Sequence, residues 1–207
     1  MARKLKDFPS IRLKPEDLYE KIDFSEIFGR SGPVHIEIGT GKGTFLVNQA
    51  QAQPAINFLG IEWANKYYRH TVDRMGRWGL TNVKIIRTEA AFFIKEHIAG
   101  KSVDCFHIYY PDPWPKKRHH KRRFINKENT EEMIRCLKPG GVIRIATDHE
   151  DYWHQIQNVM KPLSQCEEIE FTPTAGAEAG ERVGTNYERK YTKENRRIYT
   201  LALQKIS

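Results

Sequence analysis

Val34-His35-Ile36-Glu37-Ile38-Gly39-Thr40-Gly41-Lys42-Gly43-Thr44-Phe45-Leu46 is the stretch that decides the fold. Its first five residues alternate apolar and polar side chains, the pattern of a strand. Gly39 and Gly41 then let the backbone turn tightly and approach a ligand closely. A helix begins near Gly43 and carries Phe45, Leu46 and Ala50. Strand, glycine turn and helix together open a β-α-β unit, and such sheets hold ligands beyond the carboxyl ends of their strands. The spacing is GxGxG rather than GxGxxG, which weakens a dinucleotide reading. No GxxxxGK[ST] run is present, so a P-loop is excluded.

The same rhythm continues downstream. Asn57 to Glu62 reads as a second strand ending in an acid about twenty residues after the glycines, where a carboxylate accepting ribose hydroxyls is expected. The plain alternative for Glu62 is an exposed strand-end acid. Ala64 to Trp78 is a predicted helix with Ala64, Tyr68, Val72 and Met75 on one face. Val83 to Ile86 should be a third strand leading to Glu89. That acid either contacts an adenine ring or complements the dipole of the helix holding Phe92, Phe93 and Ile94.

Val103 to Tyr110 is the next strand, closed by Pro111, Pro113 and Pro115. Prolines fix φ and lack a donor, so a stiff extended loop is expected to hold Asp112 and Trp114 at the strand's end. Lys116, Lys117, Arg118, His119, His120, Lys121, Arg122 and Arg123 follow, and most of the chain's net charge of +8 falls in this run. A charge run is usually a solvated face. Beside a ligand crevice, it suits a phosphate backbone better.

Asn126 to Leu137 reads as a helix stopped by Lys138-Pro139-Gly140-Gly141. Val142 to Thr147 is a fifth strand ending at Asp148, which either caps the next helix or meets substrate. That helix has Tyr152, Ile156 and Val159 at core spacing. Glu167 to Phe171 and Ile198 to Leu203 are possible strands. The long segment between them, with Thr185, Asn186, Tyr187 and Glu188, is either filler or a substrate clamp, and the aromatic among polar groups favours the clamp.

Residues 1–32 read as a polar N-terminal extension ahead of a single domain over 33–207, with one short helix after Pro15 through Tyr19 and Ile22. Arg3, Lys4 and Lys6 offer further phosphate contacts or simple disorder. The 207 residues suffice for one sizeable core. A pI near 9.3 favours a polyanionic partner. Cys105, Cys136 and Cys166 form no CxxC, as reduced cytosolic thiols would. The charged N-terminus lacks a signal-peptide core, and no run is long and apolar enough to span a bilayer, so no membrane association and a cytoplasmic protein are expected. His119 and His120 are adjacent and lack acid or Cys companions, so no metal site is expected. Monomer and homodimer are both compatible with the sequence.

Taken together, EIGTGKG, GIE, YPDPWPKKRHHKRR, LKPGG, ATD and TNYE closely resemble the bacterial tRNA (guanine-N7-)-methyltransferase family over nearly all of residues 34–207. PDPWPKKRHHKRR is specific to that family, whereas EIGTGKG and LKPGG are widespread among S-adenosylmethionine-dependent methyltransferases. The resemblance implies an α/β, Rossmann-like class I fold: a seven-stranded, mostly parallel sheet with helices on both faces and an antiparallel last strand. It implies S-adenosyl-L-methionine as cofactor, tRNA as partner, and guanine 46 of the variable loop as target. Carried over by motif, Glu37, Gly39, Gly41, Glu62, Glu89 and Asp112 would form the cofactor site, with Asp112 at the reacting centre. Lys116, Asp148, Thr185, Asn186, Tyr187 and Glu188 would meet the substrate, and Arg118, His119, His120, Lys121, Arg122 and Arg123 the RNA. The family commonly has Asp where this chain has Glu89.

Guanine N7 is already an unprotonated acceptor, so methylation there needs no base. Asp112 would stabilise the positive charge developing on guanine or hold the N1 and N2 donors. Two rivals stand beside this reading. One is methylation of an exocyclic base amine, since PDPW is not far from the Pro-Pro-aromatic loops of such enzymes. The other is a cofactor-binding RNA module without catalysis.

Overall fold

The computed structural model describes residues 4–18 and 20–206; the expectations attached to Arg3 and Tyr19 lie outside the described residues. Its strands are β1 (Arg12–Leu13), β2 (Val34–Ile38), β3 (Asn57–Ile61), β4 (Val83–Ile86), β5 (Val103–Tyr109), β6 (Leu137–Thr147), β7 (Cys166–Ile169) and β8 (Tyr199–Lys205). Among the described residues these form one eight-stranded sheet in the order β1-β4-β3-β2-β5-β6-β8-β7. Every pairing from β1 to β6 is parallel. β8 inserts between β6 and β7 and runs antiparallel to both. The strand beyond the expected seven is β1, a two-residue edge.

Strand order reverses between β2 and β5. The chain moves outward from β2 through β3 to β4, then returns to pair β5 against the other side of β2. The crevice at that reversal is where open α/β sheets bind ligands. It lies between the ends of the two stretches that carry the glycines and the prolines.

The helices are α1 (Phe24–Phe28), α2 (Thr44–Ala52), α3 (Asn65–Arg77), α4 (Ala90–His97), α5 (Lys127–Cys136), α6 (Glu150–Met160) and α7 (Asn186–Lys193). One sheet face, with Ile36, Ile38, Phe106, Ile108, Ile143 and Ile145, packs against α4, α5 and α6 through Phe93, Met133, Tyr152 and Ile156. The other, with Phe58, Ile85 and Tyr109, packs against Phe45 and Leu46 of α2 and Val72 and Met75 of α3. Each such fully buried side chain contributes about 1.5–3 kcal/mol relative to exposure.

Three expectations need correction. The helix expected from Pro15 to Ile22 is a single 3-10 turn, Pro15–Asp17, followed by α1, whose first turn is capped by the Asp23 carboxylate accepting from Ser25 N at 2.7 Å. β6 starts at Leu137 rather than at Val142. The Lys138–Gly141 turn stays within the strand as an irregularity, the ladder stepping from Val103–Leu137 to Cys105–Val142. The long tail segment contains α7, and its earlier part lies on α2: Gln49 Nε2 donates to Thr174 Oγ1 at 2.9 Å and Asn48 Nδ2 to Gly184 O at 3.3 Å. It is a folded cover.

Candidate active site

The turn after β2 needs three left-handed residues, Gly39 at φ +79°, Gly41 at +53° and Gly43 at +68°. Such angles strain any residue with a Cβ. Gly43 is also a packing point, since a Cβ there would stand 2.7 Å from Thr71 Cγ2 and 2.8 Å from Met75 Cε. Around Gly39 and Gly41 no atom lies within 4 Å of that position, so a ligand can rest on bare backbone.

Above this turn opens a cavity of about 770 Å³, including its mouth, walled by Glu37, Gly41, Tyr67, Tyr109, Tyr187 and Lys190 among others. Glu37 is 4% exposed. Its Oε2 is buried without a hydrogen-bond partner. Burial pushes its carboxyl well above the usual range, and the nearby Glu62 charge adds to the shift. A buried acid with an unmet oxygen facing a cavity is suited to a cationic ligand group.

Glu62 lies just past β3, where Gly41 N donates to Oε2 and Ala64 N to Oε1, each at 2.8 Å. Burial raises its pKa, and those two backbone donors oppose the rise. The carboxylate thus ties the glycine turn to the second strand, and each oxygen keeps a further lone pair for a ligand hydroxyl. Glu89 behaves differently. It is the N-cap of α4, accepting from Ala91 N at 3.0 Å and Phe92 N at 2.7 Å. Of the two readings of that residue, the helix-start role is the one this geometry supports.

The proline loop is not extended throughout. Tyr110 and Trp114 have φ of +52° and +44°, so the chain bends just before Pro111 and just before Pro115. Bulky residues held there cost of order 1–3 kcal/mol each and persist only where the surroundings enforce them. Here Tyr110 N donates to Ala146 O at 2.7 Å. Arg123 Nε donates to Pro113 O at 2.7 Å. Between the two bends, the Asp112 side chain is exposed and meets no hydrogen-bond partner among the described residues. Its charge adds to the upward shifts of Glu62 and Tyr187.

The basic run forms a 3-10 helix over Lys117–Arg122. Lys116, Lys117, Arg118, Lys121 and Arg122 are exposed, and His119 and His120 half-buried. Arg122 lies over the Trp114 ring at 4.9 Å, and His119 meets its edge at 5.9 Å. Arg123 is the exception, 2% exposed. Its guanidinium donates to Gln155 Oε1 at 2.9 Å, pairs with Asp151, and rests on the Tyr152 ring at 4.8 Å. Expected to meet RNA, it instead points inward and anchors the Asp112 loop to α6.

Asp148 does not cap α6; His149 does, accepting from Tyr152 N at 3.3 Å. Asp148 pairs with Arg196 at 2.8 Å. Thr185 is the N-cap of α7, accepting from Glu188 N at 3.0 Å. Glu188 is buried, and its carboxylate accepts from Arg182 N at 2.6 Å, Val183 N at 3.0 Å and Gly184 N at 2.8 Å. Two members of TNYE therefore shape the cover, while Asn186 and Tyr187 line the cavity. Tyr187 lies 6.1 Å from Tyr110 and 5.9 Å from Tyr191, ring centre to ring centre.

Residues 31–201 match a family described as putative methyltransferases. A tRNA (guanine-N(7)-)-methyltransferase of Geobacter metallireducens is 33% identical over 195 residues, 94% of this chain and 92% of that protein. The chain belongs to that family. A second tRNA (guanine-N(7)-)-methyltransferase, from Nitrosomonas eutropha, is 44% identical over 131 residues, 63% of this chain and 58% of its own length. In fold, the crystal structure of the 16S rRNA methyltransferase KamB is similar at a TM-score of 0.59 and 16% identity, covering 90% of this chain and 94% of that one.

Thr44, Phe45, Tyr67, Tyr109 and Lys190 also wall the cavity of this family member, and sequence reasoning did not single them out for it. Tyr67 neighbours Tyr68 on α3, and only the buried face of that helix is legible from periodicity. Lys190 lies on α7, which Thr185-x-x-Glu188 announces as a capping-box pattern.

Proposed function

We propose that this protein transfers the methyl group of S-adenosylmethionine to N7 of a tRNA guanine, at position 46 of the variable loop. The observation carrying the reading is the unpartnered Glu37 oxygen inside the cavity over the glycine turn, with the Asp112 loop following the strand paired beside it. The residues fit the cofactor. Glu37 suits the ammonium of its methionine part. Gly39 and Gly41 give open backbone beside it, and Glu62 retains lone pairs for the ribose hydroxyls. When bound, the cofactor supplies an electrophilic methyl group on a sulfonium.

The chain's own residues then position and stabilise. No general base is required, because N7 already carries the lone pair that attacks. Catalysis rests on alignment and charge placement. Asp112, held between two strained bends, faces the guanine as its ring becomes cationic. Asn186 and Tyr187 border the cavity and contact the base, and Asp148, Thr185 and Glu188 hold the surrounding cover. Lys116, Arg118, His119, His120, Lys121 and Arg122 run along the tRNA backbone, while Arg123 positions the loop. Glu89 is left as a helix cap. None of the described helices is long and apolar enough to cross a membrane, and tRNA as substrate favours the cytoplasm.

The test is incubation with labelled S-adenosylmethionine and bulk tRNA, followed by identification and mapping of the modified nucleoside. N7-methylguanosine at position 46 is expected. Label on an exocyclic amine, or no transfer despite binding, overturns the reading.

A further inference from the structure

Three groups of a kind that ligate soft metals meet on the sheet face beside the cavity. Pairing of β2 with β5 sets His35 opposite Cys105 and brings His107 one step further along the same face. Their ligating atoms all lie within 4.8 Å of one another. His35 Nδ1 and His107 Nε2 share a hydrogen bond at 3.1 Å, whose proton a metal would displace to the other nitrogen of its ring. That spacing is close to the roughly 3.3 Å edge of a tetrahedron built on metal–nitrogen bonds of about 2.0–2.1 Å. Cys105 is buried, and its sulfur makes one long hydrogen bond among the described residues, 3.7 Å to Phe106 O.

We propose that His35 Nδ1, Cys105 Sγ and His107 Nε2 form a binding site for a soft d¹⁰ cation of the Zn²⁺ or Cu⁺ type. His35 is half-buried and opens to a groove bordered by Gln53, Arg144 and Pro173, which supplies an entry path. Burial lowers the His35 pKa to about 4 and holds His107 well below its usual value, so both rings are neutral ligands at physiological pH. The Cys105 thiol, pushed up to about 12 by burial, must give up its proton when the metal–sulfur bond forms. One proton is released per ion bound, and no redox change is involved.

Ligand softness selects the ion, since two imidazoles and a thiolate suit a soft cation. Arg144 borders the site, donating to Thr172 O and lying over the Phe171 ring at 4.2 Å. Asp104 borders the same groove, so the two fixed charges oppose one another and the new thiolate offsets one charge of the ion. Cu⁺ with three ligands leaves no net charge, and Zn²⁺ leaves one and takes water in the fourth position. His107 Nδ1 also reaches the Tyr109 hydroxyl at 2.8 Å. With Nε2 on a metal, Nδ1 must carry the proton and donate to Tyr109, fixing a side chain of the cofactor cavity. Cys105 and His107 share one face of β5, but His35 joins them only through the pairing of β2 with β5, which sequence spacing does not show.

The experiment titrates the full chain with Zn²⁺ and, anaerobically, with Cu⁺, each against a competing chromophoric chelator. Co²⁺ serves as a spectroscopic probe of sulfur ligation. Expected are one equivalent of Zn²⁺ or Cu⁺ bound tightly, a thiolate-to-Co²⁺ charge-transfer band, and one proton released. Cys105→Ser should abolish the band and weaken binding at least tenfold at a temperature where circular dichroism shows the variant folded, the buried hydroxyl lowering its melting point. His35→Asn, at the half-buried position, should weaken binding by a similar factor. Tighter binding of one ion identifies which of the two the site takes. Absence of tight binding by the parent protein overturns the proposal. So does parent-like binding by folded Cys105→Ser, which would trace the metal to the surface histidines.

Discussion

At the residue scale, the proposed chemistry depends on two carboxylates in opposite environments. Asp112 is exposed on a strained loop, and Glu37 is buried at the cavity floor. Asp112→Asn keeps the shape and removes the charge. If the charge stabilises the guanine cation, single-turnover methylation should fall by about 10²-fold with cofactor affinity unchanged. A loss confined to tRNA affinity would mean that Asp112 only orients the base. For Glu37 the sign follows from its raised pKa. Above the ordinary carboxylate range the free protein still holds this proton, and an ammonium partner favours its release. Cofactor affinity should therefore rise with pH until Glu37 ionises unaided. Calorimetry near neutral pH should show a binding enthalpy that varies with the ionisation enthalpy of the buffer. Glu37→Gln should bind more weakly and lose that variation. The same linkage makes the cofactor-free protein lose stability as pH rises from the usual carboxylate range toward the raised value. Glu62 was legible as a strand-end acid about twenty residues after the glycines, whereas Glu37, inside the first strand, was marked only by the family resemblance. The fate of Glu89 and Glu188 was not, because an acid bound to nearby backbone N–H groups and one awaiting a ligand look alike in sequence.

At the scale of elements, the PDPWP loop and the basic 3-10 helix act together. Arg122 lies on Trp114 from one side, and Arg123 holds Pro113 from beneath. Composition marked the whole run as a cationic strip. Only burial separates its exposed members from Arg123, which follows the six-residue helix in extended backbone and so turns its side chain inward. Replacing Arg118, Lys121 and Arg122 together by Ala should weaken tRNA binding and flatten its salt dependence. Each lost phosphate contact should lower the log–log slope by about 0.7–0.9. Cofactor affinity should stay put, because none of the three borders the cavity. An unchanged slope in binding assays across a salt series would make the strip a solvated surface. Arg123 is kept out of that variant, since losing it would release the loop and confuse the two effects.

At the scale of the whole molecule, the order of strands and glycines was readable because parallel β-α units repeat a simple pattern, each strand closing on a chemically distinct end. The tail was not, because its helix is short, polar and held by capping rather than by an apolar stripe. Among the described residues of α7, only Glu188 is buried. Yet this helix completes the cavity, whose walls join Tyr187 and Lys190 to Lys42 of the glycine turn and Thr44 at the start of α2. The cover is held through one buried carboxylate and the three N–H groups it accepts from, and the proposed function makes that hold bear on cofactor binding. Glu188→Gln substitutes an amide that turns a donor toward those donors. Loss of charged hydrogen bonds there should destabilise the cover by about 1.5–3 kcal/mol. The sheet keeps its own core, so the opening should be local. Amide exchange over residues 182–193 should accelerate while β2 and β5 stay protected. S-adenosylmethionine should bind more weakly, and saturating cofactor should restore the lost protection by mass action. Faster exchange with parent-like cofactor affinity would make α7 a lid that encloses nothing, leaving the cavity to β2, α2 and Tyr109 alone.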